Sequence, residues 1–158
     1  MQLNHLLIAM LVPLTWGFGF TLAKSGLGHF PPLLLMGMRF VLAALVLVWF
    51  VPVPRGYLWT ICCISFIAAT LQYGLTFSGL ALMQATPAVL LVQSEVIFGV
   101  VIGALILGEK PNKRQSLGIL IALGGILVIM GAPALKGQML GATLVLLGGV
   151  FWALGQVL

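Results

Sequence analysis

Six apolar stretches, each long enough to cross a bilayer, fill nearly all of this 158-residue chain. An α-helix rises about 1.5 Å per residue, so about 20 residues cross the roughly 30 Å hydrocarbon core. By that measure helix one is Leu3–Ala23, helix two Pro32–Val51 and helix three Tyr57–Met83. Helix four is Thr86–Leu107, helix five Gln115–Ala132 and helix six Gln138–Leu158. Lipid offers backbone N–H and C=O groups no partner, so such segments must bond internally as helices. The expected fold class is all-α, a polytopic transmembrane helical bundle. With 62% hydrophobic and 6% charged residues, the chain lacks the polar surface of a water-soluble domain.

The connections are short. Pro52, Pro54 and Gly56 separate helices two and three. Pro87 sits in the first turn of helix four, where a missing N–H costs nothing. Gly108 closes helix four, and Pro111 cannot continue it. Hairpins this tight make neighbouring helices antiparallel.

Net charge +5 would suggest nucleic acid in a soluble protein. Here it reads as basic cytoplasmic loops, with the lipid bilayer and no nucleic acid as partner. With the N-terminus inside, the inner loops carry Arg55, Lys110, Lys113 and Arg114, against Lys24 and Lys136 outside. The expected location is a cell membrane, multi-pass, with the N-terminus cytoplasmic. That terminus has no basic n-region and no A-x-A site before Lys24, so it reads as a retained first helix.

Only Arg39 and Glu95 place a charge well inside the apolar spans. Each costs at least about 2.5–3.5 kcal/mol in hydrocarbon, so both need a reason. Arg39 lies seven residues in from Pro32, and Glu95 nine residues in from Thr86, both from the same side. That is about 10–14 Å of depth for each, which puts them at one level. The expectation is that they pair, directly or through water.

Gly99 and Gly103 follow Glu95 at steps of four, a small-residue stripe suited to close helix packing. Ser65, Gln72, Thr76 and Gly79 form a related stripe on helix three. These polar groups either bond between helices or line a path. Cys62 and Cys63 are adjacent and apolar in setting, and have neither a disulfide framework nor metal-ligand spacing. No metal or cofactor is expected. There is no Ser/His/Asp set, no phosphate-binding glycine loop and no pair of acids, so no enzyme is expected.

Helix six is similar to helix one. Leu11 to Leu22 aligns without gaps on Leu147 to Leu158, matching Trp16 with Trp152 and Gly19 with Gly155. Five helices lie between the two starts, so the second copy would begin inverted, a signature of secondary transporters. The expected organisation is a five-helix repeat over 1–133 and the first helix of a second repeat over 137–158. The chain stops at Leu158 with no basic anchor, which reads as a fragment.

Trp16-Gly17, Phe20, Lys24, Arg39-Phe40, Ala43-Ala44 and Ala81-Leu82 stand in order along the chain. Gly108-Glu109, Arg114-Gln115, Gly118, Gly124 and Trp152-Ala153 continue the series. In this order they resemble the drug/metabolite transporter superfamily, in particular its EamA-type members. The resemblance implies ten helices in two inverted repeats and movement of small organic metabolites, often export of amino acids and related compounds, by alternating access. Two departures stand out. Many members have Glu-Pro where this chain has Glu95-Val96, which weakens the case for a kink in helix four. Helices seven to ten are absent, so a second half or a second copy would be needed.

Within that frame Glu95 has three readings: contact with an amine-bearing substrate, acceptance of a coupling proton, or a structural pair with Arg39. Arg39 would bind a substrate carboxylate or serve packing. Lys24 would snorkel to the interface or reach substrate. Trp16, Tyr73 and Gln93 are pocket candidates by depth. Glu109 reads as a loop or helix-capping residue. The alternative to a transporter is a non-transporting half-size subunit or scaffold that assembles with a partner half.

Overall fold

The computed structural model describes residues 3–51, 55–108, 111–131 and 135–158. They form six helices: α1 Leu3–Gly26, α2 Pro32–Leu47, α3 Leu58–Ala81, α4 Ala85–Ile106, α5 Lys113–Met130 and α6 Met139–Val157. A 3-10 turn, Arg55–Tyr57, leads into α3. The described residues contain no strand. The last four helices are long and apolar enough to cross a membrane, α2 is a shorter apolar helix, and α1 runs 24 residues. The fold is a polytopic helical bundle.

Two boundaries differ from expectation for local reasons. α2 stops at Leu47, and Val48–Val51 wind into turns in which Trp49 donates to Val46 O at 3.4 Å and Phe50 to Leu47 O at 2.9 Å. A residue before proline avoids the helical region, so Val51 cannot carry the helix into Pro52. Pro52 and Pro54 themselves lie outside the described residues. α5 starts two residues early because Asn112 caps it. Gln115 N donates to Asn112 Oδ1 at 2.9 Å, and Asn112 N donates to Gln115 Oε1 at 2.8 Å, a reciprocal capping box. Asn112→Ala is expected to cost about 1 kcal/mol. Thermal unfolding in detergent checks this, and an unchanged midpoint would show that the cap is idle.

Two helices are discontinuous at mid-length. α3 winds as a π-helix over Phe66–Leu71, directly before Gln72 and Tyr73. α4 tightens at Gln93 and Ser94, where Ser94 N donates to Leu91 O and Val96 N to Gln93 O, each three residues back. Glu95 opens the second segment. The break forms although Val, not Pro, occupies position 96.

The core gathers at the end of the bundle that carries the α1–α2, α3–α4 and α5–α6 connections. Ala23, Met36, Phe77, Leu80, Met83, Ala88, Leu91, Leu135, Ala142 and Val145 pack there. Gln84 N also donates to Gln138 Oε1 at 2.7 Å, tying the α3–α4 turn to the start of α6. Met36 is the only buried residue of α2, and Ala23 the only buried one among the described side chains of α1. The α1–α2 hairpin thus joins the bundle mainly at this end. α5 buries no residue.

The tightest helix contact lies between α3 and α6. A methyl group on Gly79 would stand 2.5 Å from Gly141 O and 2.8 Å from Val145 Cγ2. One on Gly148 would overlap Thr76 Oγ1 and reach Gln72 O at 3.0 Å, and one on Gly155 would overlap Ala68 Cβ. With no hydrophobic drive between helices in lipid, backbones this close gain dispersion contacts that larger residues would forbid. Gly99 and Gly103, expected to serve this purpose, have nothing within 4 Å of an added methyl group. Gly103 is buried and Gly99 half-buried, but no helix backbone comes close to either. The stripe on helix three packs closely over Gln72, Thr76 and Gly79, which are buried against α6, whereas Ser65 at its start is exposed. Gly108, at φ +71°, ends α4 in the left-handed region that only glycine enters cheaply.

Candidate functional site: a cavity lined by two unlike charges

Arg39 on α2, Glu95 on α4, Trp16 on α1 and Tyr73 on α3 line one cavity of about 240 Å³. Gln72, Thr76 and Trp152 complete its polar and aromatic wall, and Phe20 and Phe77 stand towards the packed end. The two helix discontinuities explain part of this convergence. The π-helical stretch shifts the register of α3 just before Gln72 and Tyr73, and the tightened turn re-aims α4 just before Glu95. An aromatic series fixes the remaining wall. Phe20 stacks on Phe77 at 5.8 Å, Phe77 on Tyr73 at 5.7 Å, and Tyr73 meets Phe40 edge-on at 5.0 Å.

Arg39 and Glu95 share the cavity, but the expected direct pair does not form. No ion pair within 4.0 Å joins them. The reason is packing. α2 rests on α3 and makes no comparable contact with α4, so the two charges belong to separate walls. Arg39 is exposed and Glu95 half-buried.

Gln72 is buried, and its Nε2 makes only a long 3.4 Å bond to Thr76 Oγ1. Its Oε1 has no protein partner. A buried acceptor left unpaired costs about 1–3 kcal/mol, so the cavity wall holds a polar group in want of a donor.

Two candidates lie elsewhere. Gln93 is exposed, and it lines grooves between α4 and α5 and between α1 and α4 instead of the cavity. In the groove between α1 and α4 it stands beside Glu95, Trp16 and Phe20, which also line the cavity. Lys24 caps α3. Its Nζ donates to Leu80 O at 2.7 Å, Ala81 O at 3.2 Å and Met83 O at 2.8 Å, which uses all three ammonium hydrogens. The last carbonyls of a helix lack partners and carry partial negative charge, so a cation is well placed there. Glu109 lies outside the described residues. Cys62 and Cys63 are free and exposed.

Trp152 and Thr15 reach the cavity without having been singled out as site residues, while Gln72 and Thr76 reach it from the helix-three stripe. A signal for Trp152 was present, since it aligns with Trp16, and the two matched residues line the same cavity.

Apolar helices of spanning length around a chamber with two unlike charges define a multi-pass membrane protein with a polar interior site. More specifically, this chain belongs to the EamA-like transporter family, whose sequence model matches residues 3–131. It is 34% identical over 154 residues to the "Probable amino-acid metabolite efflux pump" of Salmonella typhimurium, covering 95% of this chain and 51% of that protein. The protein of the same description from Escherichia coli K12 matches with the same identity and coverage. The "Uncharacterized transporter YvbV" of Bacillus subtilis is 34% identical over 161 residues, covering 96% of this chain and 52% of the relative. The chain thus spans about half the length of these curated relatives. No solved structure matches it significantly. Membership of this family, and relatives named as transporters, point away from an enzyme.

Proposed function

We propose that this chain supplies one half of the substrate path of a secondary transporter that exports small zwitterionic metabolites, amino acids or close relatives. The observation that carries this reading is the cavity itself. It brings an acid and a base into one chamber on separate walls, without a contact that neutralises either. An α-amino acid carries a carboxylate for Arg39 and an ammonium for Glu95. Bound between them, it would offset the desolvation that each charge otherwise suffers alone. At about 240 Å³ the space falls below the roughly 300–1,000 Å³ of pockets for drug-sized ligands, which favours a small metabolite. Discontinuous helices at the level of the charges fit transporters, whose irregular backbone is tolerated where it lines a cavity.

In this reading Trp16 and Trp152 hold equivalent places in two inverted repeats. The first repeat covers 1–133, and α6 opens the second. The remaining wall comes from a second half or a second copy, facing the exposed side of Arg39 and the open face of α1. The N-terminus is cytoplasmic, set by Arg55, Lys110, Lys113 and Arg114. Glu95 is also the natural acceptor for a coupling proton.

Loaded proteoliposomes test this, made with the gene expressed together with any coding sequence that follows codon 158. Efflux of radiolabelled neutral amino acids is expected, with or without an imposed proton gradient. No efflux of any amino acid or related metabolite under either condition would remove the substrate assignment. If the 158-residue chain forms stable complexes with a complementary half yet transport stays absent, the half-size scaffold becomes the better reading.

A further inference from the structure

Lys24 lies outside the cavity, yet among the described residues it is the one charged group that ties α1 to α3. Its three hydrogen bonds to Leu80, Ala81 and Met83 sit at the packed end of the bundle, beyond the Phe20–Phe77 stack that bounds the cavity on that side. α1 forms the cavity wall that carries Thr15, Trp16, Gly19 and Phe20. Elsewhere α1 is weakly held. Its described side chains from Met10 to Leu22 are exposed apart from Gly19 and Phe20, which are half-buried. α6, by contrast, is locked to α3 along its length by the glycine contacts. α1 also rests on the first half of α4, but its polar bonds to α3 come from this one side chain at one end, so it can separate from α3 without disturbing the α3–α6 body.

We propose that Lys24 is a positioning residue for transport, a detachable clasp that closes the cavity toward the membrane face carrying the α1–α2 turn. With its three bonds made, α1 and the Phe20–Phe77 stack shut that face. When they break, water replaces Lys24 at the carbonyls, α1 moves away from α3, and the cavity opens to that face. The carbonyl acceptors at the end of α3 lie near the membrane surface, so the exchange of ammonium for water is reversible. This role rests on the cavity being the substrate chamber.

The test is accessibility of a cavity thiol. Cys62 and Cys63 are exposed and are replaced by Ser, and Val92→Cys places one thiol on the cavity wall. A membrane-impermeant cationic thiosulfonate is added to either side of sealed vesicles of known sidedness. Each lost charge-assisted bond shifts the open–closed balance by at least about tenfold. Lys24→Met is therefore expected to speed labelling at least about tenfold from the face of the α1–α2 turn, with no rise from the other face. Lys24→Gln should fall between, and Lys24→Arg should stay near the parent. Lys24→Gln carries the comparison if Lys24→Met does not accumulate as folded protein. Equal labelling of parent and Lys24 variants, or an equal rise from both faces, overturns the clasp alone. A thiol that no variant exposes to either face overturns the chamber reading as well.

Discussion

Gly148→Leu is expected to prevent the folded protein from accumulating, and Gly148→Ala to cost about 1–3 kcal/mol as an overpacking change. A single methyl group there would overlap Thr76 Oγ1 and stand 3.0 Å from Gln72 O and 3.1 Å from Thr76 N. Two of these neighbours are backbone atoms and cannot move aside without parting α3 from α6. Gly99→Ala supplies the opposite sign. It meets nothing within 4 Å, and alanine restricts the unfolded chain more than glycine does, so it should be neutral or stabilising by up to about 1 kcal/mol. Both changes raise helix propensity alike, so their difference isolates the close contact. Thermal unfolding in detergent reads it out. Equal midpoints for Gly148→Ala and Gly99→Ala would show that the α3–α6 approach does not hold the bundle together.

Glu95→Gln is expected to reduce transport at least about 30-fold, as befits loss of a buried charge contact worth 2 kcal/mol or more. Stability should change by less than about 1 kcal/mol. A true buried ion pair would behave differently, since removing one partner strands the other at a cost of about 3–5 kcal/mol. Because Arg39 and Glu95 belong to separate walls with no ion pair, function and stability should part company. Arg39→Gln should act in the same way. Reversing both charges, Arg39→Glu with Glu95→Arg, should give no rescue over either single change. A substrate turned end for end would no longer match the aromatic side formed by Trp16 and Tyr73. Recovery of transport in the double reversal would mean that the two residues serve chiefly as each other's partner.

Much of the fold was legible in the chain because lipid permits so few structures. Apolar runs of spanning length must be helices, and Pro32, Gly108 and the Pro52–Pro54 region mark where they begin and end. The shared depth of Arg39 and Glu95 followed from counting residues, and both line one cavity. Distance was not legible. Depth counting fixes height along a helix but not the separation between helices, and α2 stands on α3 with no close approach to α4. Depth counting did not separate the cavity from the adjoining α1–α4 groove, where Gln93 stands with Glu95 and Trp16. Choosing among twenty glycines failed at Gly99 and Gly103, because small-residue spacing recurs too often to select a contact. The heptad spacing of Gly141, Gly148 and Gly155 on helix six, opposite the polar stripe of helix three, was the better signal. Neither the π-helical stretch of α3 nor the break before Glu95 falls at a proline, so neither was marked by residue type.

The central claim is that Arg39 and Glu95 recognise the two ends of one zwitterion. Ligand binding by the reconstituted protein tests it directly, read from the fluorescence of Trp16 and Trp152 on the cavity wall. Trp49 and Trp59, exposed far from the site, are first changed to Phe to remove their signal. The probes are leucine, its deaminated acid and its decarboxylated amine. The parent protein should bind leucine at least about tenfold more tightly than either truncated probe, as expected when a charged contact is lost. Glu95→Gln should erase the preference over the acid, and Arg39→Gln the preference over the amine. Equal affinity of the parent for all three probes, or loss of both preferences in each single variant, would contradict the account.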